Sequence, residues 1–340
     1  MNAPLPSDHP TIKPRKVGVL LLNLGTPDAT DYWSVRRYLK EFLSDPRVIE
    51  TPKWKWWPIL NLGILSFRPQ ATGANYALIW DKERNESPLR VITRSQAEKL
   101  GAALAGDGIA VEWGMRYGNP STRSAIDSLI AQGCDKILLF PLYPQYSATT
   151  TATANDQAFR ALQKIRWQPA VRTVPAYFEQ DVYVETLARS IREGVEKLDF
   201  TPDLVITSYH GMPLEYLQKG DPYHCQCHKT TRLVRERLGW AEDRMMVTFQ
   251  SRFGPTQWLE PYTDVTLKSL PGKGIKKVAI LAPAFSADCI ETLEEIAIGG
   301  REEFLQAGGE HYAYIPCLND TDDGMAMLED IVRRELGGWL

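Results

Sequence analysis

The chain has 340 residues, 44% hydrophobic and 24% charged, which is material for one large or two medium domains with substantial cores. Thirty-nine Lys and Arg against 42 Asp and Glu give a net charge of −3, so no nucleic-acid partner is expected. No apolar run reaches the roughly 20 residues of a membrane-spanning helix, and residues 1–14 lack the basic start and apolar centre of a secretory signal.

These absences point to a cytoplasmic protein with residues 1–15 as a flexible, Pro-containing tail. The five cysteines read as reduced thiols rather than a disulfide framework. Strands are predicted at Val17–Asn23, Ala110–Met115, Lys136–Tyr143 and Ala170–Val174, with helical patterns between them such as Tyr32–Leu43 and Arg94–Ala105. A second series follows at Asp203–Ser208, Arg244–Phe249, Lys276–Ala284 and His311–Ile315. Each series opens with a strand leading into a turn, Asn23-Leu24-Gly25-Thr26-Pro27 in one and Tyr209-His210-Gly211-Met212-Pro213 in the other. The pattern predicts an α/β protein of two Rossmann-like lobes, parallel sheets flanked by helices, with a cleft between the strand ends. The lobes are drawn at residues 16–168 and 169–340.

Between these elements lie two segments of unusual composition. Thr51–Arg68, TPKWKWWPILNLGILSFR, combines three tryptophans with basic and aliphatic residues around Pro58. It fits either a membrane-interface segment or a helix packed on its lobe. His224-Cys225-Gln226-Cys227-His228 offers zinc or iron ligands, although cysteines two apart are poorly placed to close one tetrahedral site. No nucleotide cofactor is expected, because Pro271-Gly272-Lys273-Gly274 lacks the rest of a phosphate loop and no GxGxxG follows a strand.

The chemistry concentrates in two places. His210 follows the apolar run 203–208, where ligands of open α/β sheets bind, and Gly211 and Pro213 stop the strand there. A neutral imidazole, with an unperturbed pKa of about 6.5, can act as a general base; a strand-end histidine that bonds a neighbouring carbonyl is the alternative. Asp288, Glu291 and Glu295 fall at i, i+3 and i+7 of a predicted helix and would share one face, as a row that dehydrates a cation or carries protons. Asp288 and Glu291 equally read as an N-cap with its N3 partner.

The segment Val205–Tyr223, with His210-Gly211, Pro213 and Gly220-Asp221-Pro222-Tyr223, resembles the signature of the ferrochelatases. Further blocks agree in order: residues 23–27, Met115-Arg116-Tyr117, Pro144-Gln145-Tyr146-Ser147, Gln250-Ser251-Arg252-Phe253-Gly254 with Trp258-Leu259, and Asp288 through Glu295. The resemblance spans about residues 16 to 335. It implies two lobes clasping a porphyrin and the terminal step of haem synthesis, in which Fe²⁺ and protoporphyrin IX give protohaem and two protons. His210 would be base and metal contact, with Glu291 its acidic, metal-contacting partner opposite. Leu24, Arg116, Tyr117, Tyr143 and Trp258 would meet the porphyrin, and Asp288 and Glu295 would form a secondary proton or metal path. Ferrous iron enters as substrate, and residues 51–68 would be the porphyrin-entry lip in peripheral contact with a membrane.

Two departures bear on metal binding. Cys289 stands where many relatives carry a second histidine. The last cysteine is Cys317, and Ala148 follows the Pro144–Ser147 block where cluster-bearing animal relatives place a ligand, so no [2Fe–2S] cluster of that type is expected. The competing readings are a chelatase for another tetrapyrrole, of coproporphyrin or sirohydrochlorin type, and a non-catalytic porphyrin or haem carrier.

Overall fold

Val19, Leu20, Leu21 and Leu22 are all fully buried, and a run apolar towards both faces is what an interior parallel strand requires. In the computed structural model, which describes Pro6, Asp8 and residues 15–340, this run is the centre of strand β1 (Lys16–Thr26). There follow α1 (Tyr32–Leu43), α2 (Lys53–Pro58), a π-helical turn at Ile59–Ile64, α3 (Leu65–Ile79), α4 (Pro88–Leu104), β2 (Ala110–Gly118), α5 (Thr122–Ala131), β3 (Cys134–Pro141), α6 (Thr153–Leu162) and β4 (Ala170–Thr173). The second series is α7 (Asp181–Glu196), β5 (Leu204–His210), α8 (Leu214–Gln218), α9 (Tyr223–Leu238), β6 (Met245–Gln250), α10 (Thr263–Ser269) and β7 (Lys277–Leu281). It ends with α11 (Ile290–Thr292), π-helix at Leu293–Gly300, α12 (Arg301–Gln306), β8 (His311–Tyr314) and α13 (Asp322–Glu335).

The strands form two parallel four-stranded sheets, ordered β2-β1-β3-β4 and β6-β5-β7-β8. The two orders are the same topology, so the repetition seen along the sequence is a repetition in space. Alternation along each strand divides the core into layers. Val19, Leu21 and Phe140 of one sheet and Val205 and Ala279 of the other face a shared cluster with Tyr183 and Ile191 of α7 and Leu328 and Ile331 of α13. The opposite faces pack separately, Leu20 and Leu22 against α5 and α6, and Ile206, Val278 and Ile280 against Leu267 of α10 and Phe304 of α12.

Four expectations change. The tail at residues 1–15 lies almost wholly outside the described residues. Strand β4 pairs with β3, so the first sheet extends to Thr173 and the boundary at 168–169 falls too early. Strand β5 runs on through His210, whose backbone pairs with Gln250, instead of ending at Ser208. Helix α4 begins at Pro88, six residues before the predicted start, because the Ser87 hydroxyl accepts the Arg90 N–H and proline suits the first helical position.

Candidate active site

In each sheet the neighbouring strand ends, β1 with β2 and β5 with β6, approach closely where the gap between the lobes is expected, and a glycine in each lets the backbones meet. A Cβ on Gly25, whose φ is +114°, would lie 1.8 Å from the Tyr117 carbonyl oxygen. One on Gly211 would lie 2.6 Å from the Gln250 carbonyl and 3.2 Å from the Trp258 ring. Any side chain at either position would drive the strand ends apart.

His210 is half-buried at the last position of β5, and its Nδ1 lies 2.7 Å from the Gly211 carbonyl oxygen. A carbonyl only accepts, so Nδ1 carries the proton of the neutral ring and Nε2 keeps its lone pair. The bond to a neighbouring carbonyl and the role of base are therefore compatible: the first fixes the tautomer that the second needs.

Gln250, the register partner of His210, connects this histidine to the acidic segment. Its side chain is buried, accepts from the Ser208 hydroxyl at 2.7 Å and donates to the Glu291 carbonyl at 2.7 Å. Glu291 is half-buried, and its negative charge acts across the gap on Tyr38, Tyr76 and Tyr143 of the first lobe. Burial is the main cause that pushes these three phenols upward, and the Glu291 charge adds to it.

The three acidic residues do not share one face. The helix is capped by Cys289, with Thr292 as the reciprocal partner, so the pairing of Asp288 with Glu291 as N-cap and N3 is not formed. Asp288 precedes the helix and is held by Thr292 Oγ1 at 2.9 Å, the Tyr314 hydroxyl at 2.6 Å and Asn319 Nδ2 at 2.7 Å. From Leu293 the i→i+5 bonding of a π-helix replaces the 3.6-residue period that the i, i+3, i+7 argument assumed. Glu295 instead turns to Ser251, accepting from its N–H at 2.7 Å and from its hydroxyl. Ser251 adopts the left-handed φ of +64°, which is uncommon outside glycine and here aims its N–H at that carboxylate. Burial pushes the Glu295 carboxyl up, against the Ser251 bonds and the charge of His210.

On the first lobe, Arg116 and Tyr117 are buried rather than open to the gap. The Arg116 guanidinium pairs with Asp45 and bonds Thr153 Oγ1 at 2.6 Å, while the Tyr117 hydroxyl donates to Asp45 at 2.8 Å. Burial pushes the Asp45 carboxyl up, but hydrogen bonds from Thr153, Arg47 and Tyr117 and the Arg116 charge outweigh it and hold it below its usual value. The Arg116 guanidinium, expected to meet the porphyrin, is therefore already engaged within the lobe. Leu24 packs beside Val35, Tyr38 and Tyr117. The Tyr143 hydroxyl and Trp258 Nε1 are buried without a hydrogen-bond partner among the described residues.

Contacts across the gap explain two sequence blocks whose role the sequence does not reveal. Asp221 accepts from Ser147 Oγ at 2.9 Å and Ala148 N at 2.8 Å, and Gln226 accepts from Tyr146 N at 2.7 Å. The Gly220–Tyr223 and Pro144–Ser147 motifs are thus two halves of one inter-lobe contact. Only their being far apart in sequence hid this.

In the segment 51–68, Trp54 (75%), Trp57 (62%), Leu62 (70%) and Phe67 (78%) are exposed together. Trp56 differs: its indole N–H donates to the Leu43 carbonyl at 2.6 Å and its ring packs on the α1 cluster. Among the described residues no helix is long and apolar enough to cross a membrane. All five cysteines are free; Cys225 is exposed and Cys227 fully buried on the same helix, so the two thiols point apart. Among the described residues no three His, Cys, Asp or Glu side chains converge as a metal site.

The family model described as Ferrochelatase matches residues 16–336. Curated relatives named ferrochelatase are 58% identical over 337 residues in Allorhizobium ampelinum (99% of this chain, 98% of that one) and 60% identical over 327 residues in Mesorhizobium japonicum (96% and 92%). Among solved structures, SirB from Bacillus subtilis with Fe³⁺ matches with a TM-score of 0.55 at 10% identity, covering 94% of this chain and 95% of that one. DR2241 from Deinococcus radiodurans matches with a TM-score of 0.53 at 9% identity, covering 93% of this chain and 54% of that one. The solved structures share the fold alone, and the sirohydrochlorin-type and carrier readings are not favoured beside relatives of such high identity. With the family model spanning nearly the whole chain, the protein belongs to the ferrochelatase family.

Proposed function

We propose that the inter-lobe gap holds protoporphyrin IX while Fe²⁺ is inserted, with His210 Nε2 as the base that accepts a pyrrole proton. The observation that carries this reading is the Nδ1 contact to Gly211, which leaves Nε2 unprotonated at the strand end. The overall step is balanced: Fe²⁺ forms bonds to the ring nitrogens as two N–H bonds break, and both protons leave. His210 and the Glu291 carboxylate flank the ring on the second lobe, where they meet the metal as it sheds water. Tyr143 and Trp258 bring polar hydrogens that lack protein acceptors, and Leu24 gives apolar contact. Arg116 and Tyr117 support this surface from beneath through Asp45. Asp288, three-fold bonded, serves as an anchor more readily than as a relay, whereas Glu295 is placed to exchange charge with His210.

The exposed apolar residues of segment 51–68, beside Lys53, Lys55 and Arg68, suit a membrane interface and the entry of a greasy substrate. No nucleotide cofactor or [2Fe–2S] cluster takes part in this reading. Anaerobic incubation of the purified protein with Fe²⁺ and protoporphyrin IX, with coproporphyrin and sirohydrochlorin as competitors, followed at the Soret band, tests it. His210→Ala should bind porphyrin nearly as before and lose on the order of 10² to 10⁴ in kcat. Retention of more than about a tenth of kcat, above what loss of a base permits, would return His210 to a structural role.

A further inference from the structure

We propose that His224 and His228 form a second divalent-metal site, a two-imidazole chelate for a borderline cation of the zinc, nickel and copper class. They lie four apart on α9 and therefore on one face, with ring centroids 4.5 Å apart and planes 47° apart. Both rings rest against Phe249, His224 nearly parallel at 5.7 Å and 17°, His228 at 6.0 Å. The stacked contact of His224 leaves its nitrogen edge for other partners, while His228 meets Phe249 at a tilt of 48°. Among the described residues neither ring has a hydrogen bond or an ion pair. Two polar side chains brought together with nothing to bind are the arrangement a bridging cation would complete.

The surroundings fit a cation of this class. Burial favours the neutral form of both rings, and His224 adds to the effect on His228. His228 is exposed and His224 half-buried, so water can fill the remaining coordination positions. The start of a helix repels cations, but Asp221 takes the Tyr223 N–H at 3.0 Å and sets a negative charge there. Cys225 and Cys227 sit about 100° from a neighbouring histidine around the helix, and Cys227 is fully buried, so neither thiol closes the site. Two imidazoles without carboxylates select against calcium and magnesium.

This site is separate from the proposed insertion centre. Tyr209 and Phe249 face α9, and successive residues of a strand point to opposite faces, which puts His210 and Gln250 on the other side of the sheet. A cation held by His224 and His228 would brace the first two turns of α9, including Gln226, whose side chain bonds Tyr146 of the other lobe.

Zinc titration by calorimetry and Cu²⁺ electron paramagnetic resonance on the untagged full chain, without porphyrin, test the site. Wild type and His210→Ala should share one equivalent of bound Zn²⁺. His224→Gln and His228→Gln should each weaken it by at least about tenfold, the low end of what losing even an outer partner of a metal costs. The Cu²⁺ nitrogen hyperfine pattern should fall from two imidazoles to one. His228→Gln, at an exposed position, should keep the fold by circular dichroism and keep iron insertion at saturating Fe²⁺. Unchanged zinc affinity in either helix variant, or loss of the shared equivalent in His210→Ala, would overturn the proposal.

Discussion

Replacing Gln250 with Leu isolates the link between the two halves of the site. The substitution keeps the size of the side chain and the backbone pairing with His210, but removes the acceptor for Ser208 and the donor to the Glu291 carbonyl. Thr263 donates to Thr248 at 2.8 Å and lies 2.9 Å from the Ser208 hydroxyl, so Ser208 can turn its proton to Thr263 and remain satisfied. The loss therefore falls on Glu291: about 1 kcal/mol for the bond, and up to about 3 kcal/mol where the buried acceptor is left dry. A displacement of the reacting group by about 1 Å can cost about 10² in rate. We expect kcat for iron insertion to fall roughly 10- to 100-fold on this basis, with little change in porphyrin KM and a modest fall in Tm. Gln250→Glu, which sets a carboxylate against the Glu291 carbonyl, should be at least as impaired. Initial rates at the Soret band, alongside thermal melts, provide both readouts. A variant with lowered Tm but kcat within about twofold of wild type, well short of the cost of misplacement, would show that Gln250 holds the fold and does not position Glu291.

Asp221→Asn should lower Tm, because one carboxylate oxygen becomes an NH2 that must face a donor in either orientation, Ser147 with Ala148 or the Tyr223 N–H, at a cost of about 1–3 kcal/mol; an unchanged melt would mean the fold does not depend on these contacts. Substituting Trp54, Trp57, Leu62 and Phe67 together with Ser should reduce cosedimentation with liposomes and raise porphyrin KM while sparing kcat, and undiminished liposome binding would remove the membrane reading. Trp56→Ser should act differently, lowering Tm through the lost bond to Leu43. The purified protein should be colourless, and visible absorbance with stoichiometric iron and sulfide, lost on Cys225→Ser, would contradict the expectation of no cluster.

All eight strands were legible because their apolar, β-branched runs are bounded by Gly, Pro and polar turns, signals carried by neighbouring residues. The place of His210 followed from the same local information. What the chain hid was set by distance or by an altered period. Asp221 meets Ser147 from 74 positions away, and the spacing of neither motif announces a partner. Gln250 stood inside a recognised block, yet its link to Glu291 depends on β6 lying beside the start of α11. The acidic row failed for a different reason: it presumed 3.6 residues per turn in a segment that forms a π-helix, and it gave Asp288 to the helix when Tyr314 and Asn319 claim it. Arg116 is expected against the porphyrin because a buried acid in the loop after α1, Asp45, cannot be matched to it from sequence.

The bonds that join Asp221 to Ser147 and Ala148, and Gln226 to Tyr146, have a consequence for turnover. They tie the two lobes together beside their strand ends, so any widening of the gap at that level has to break all three of these hydrogen bonds.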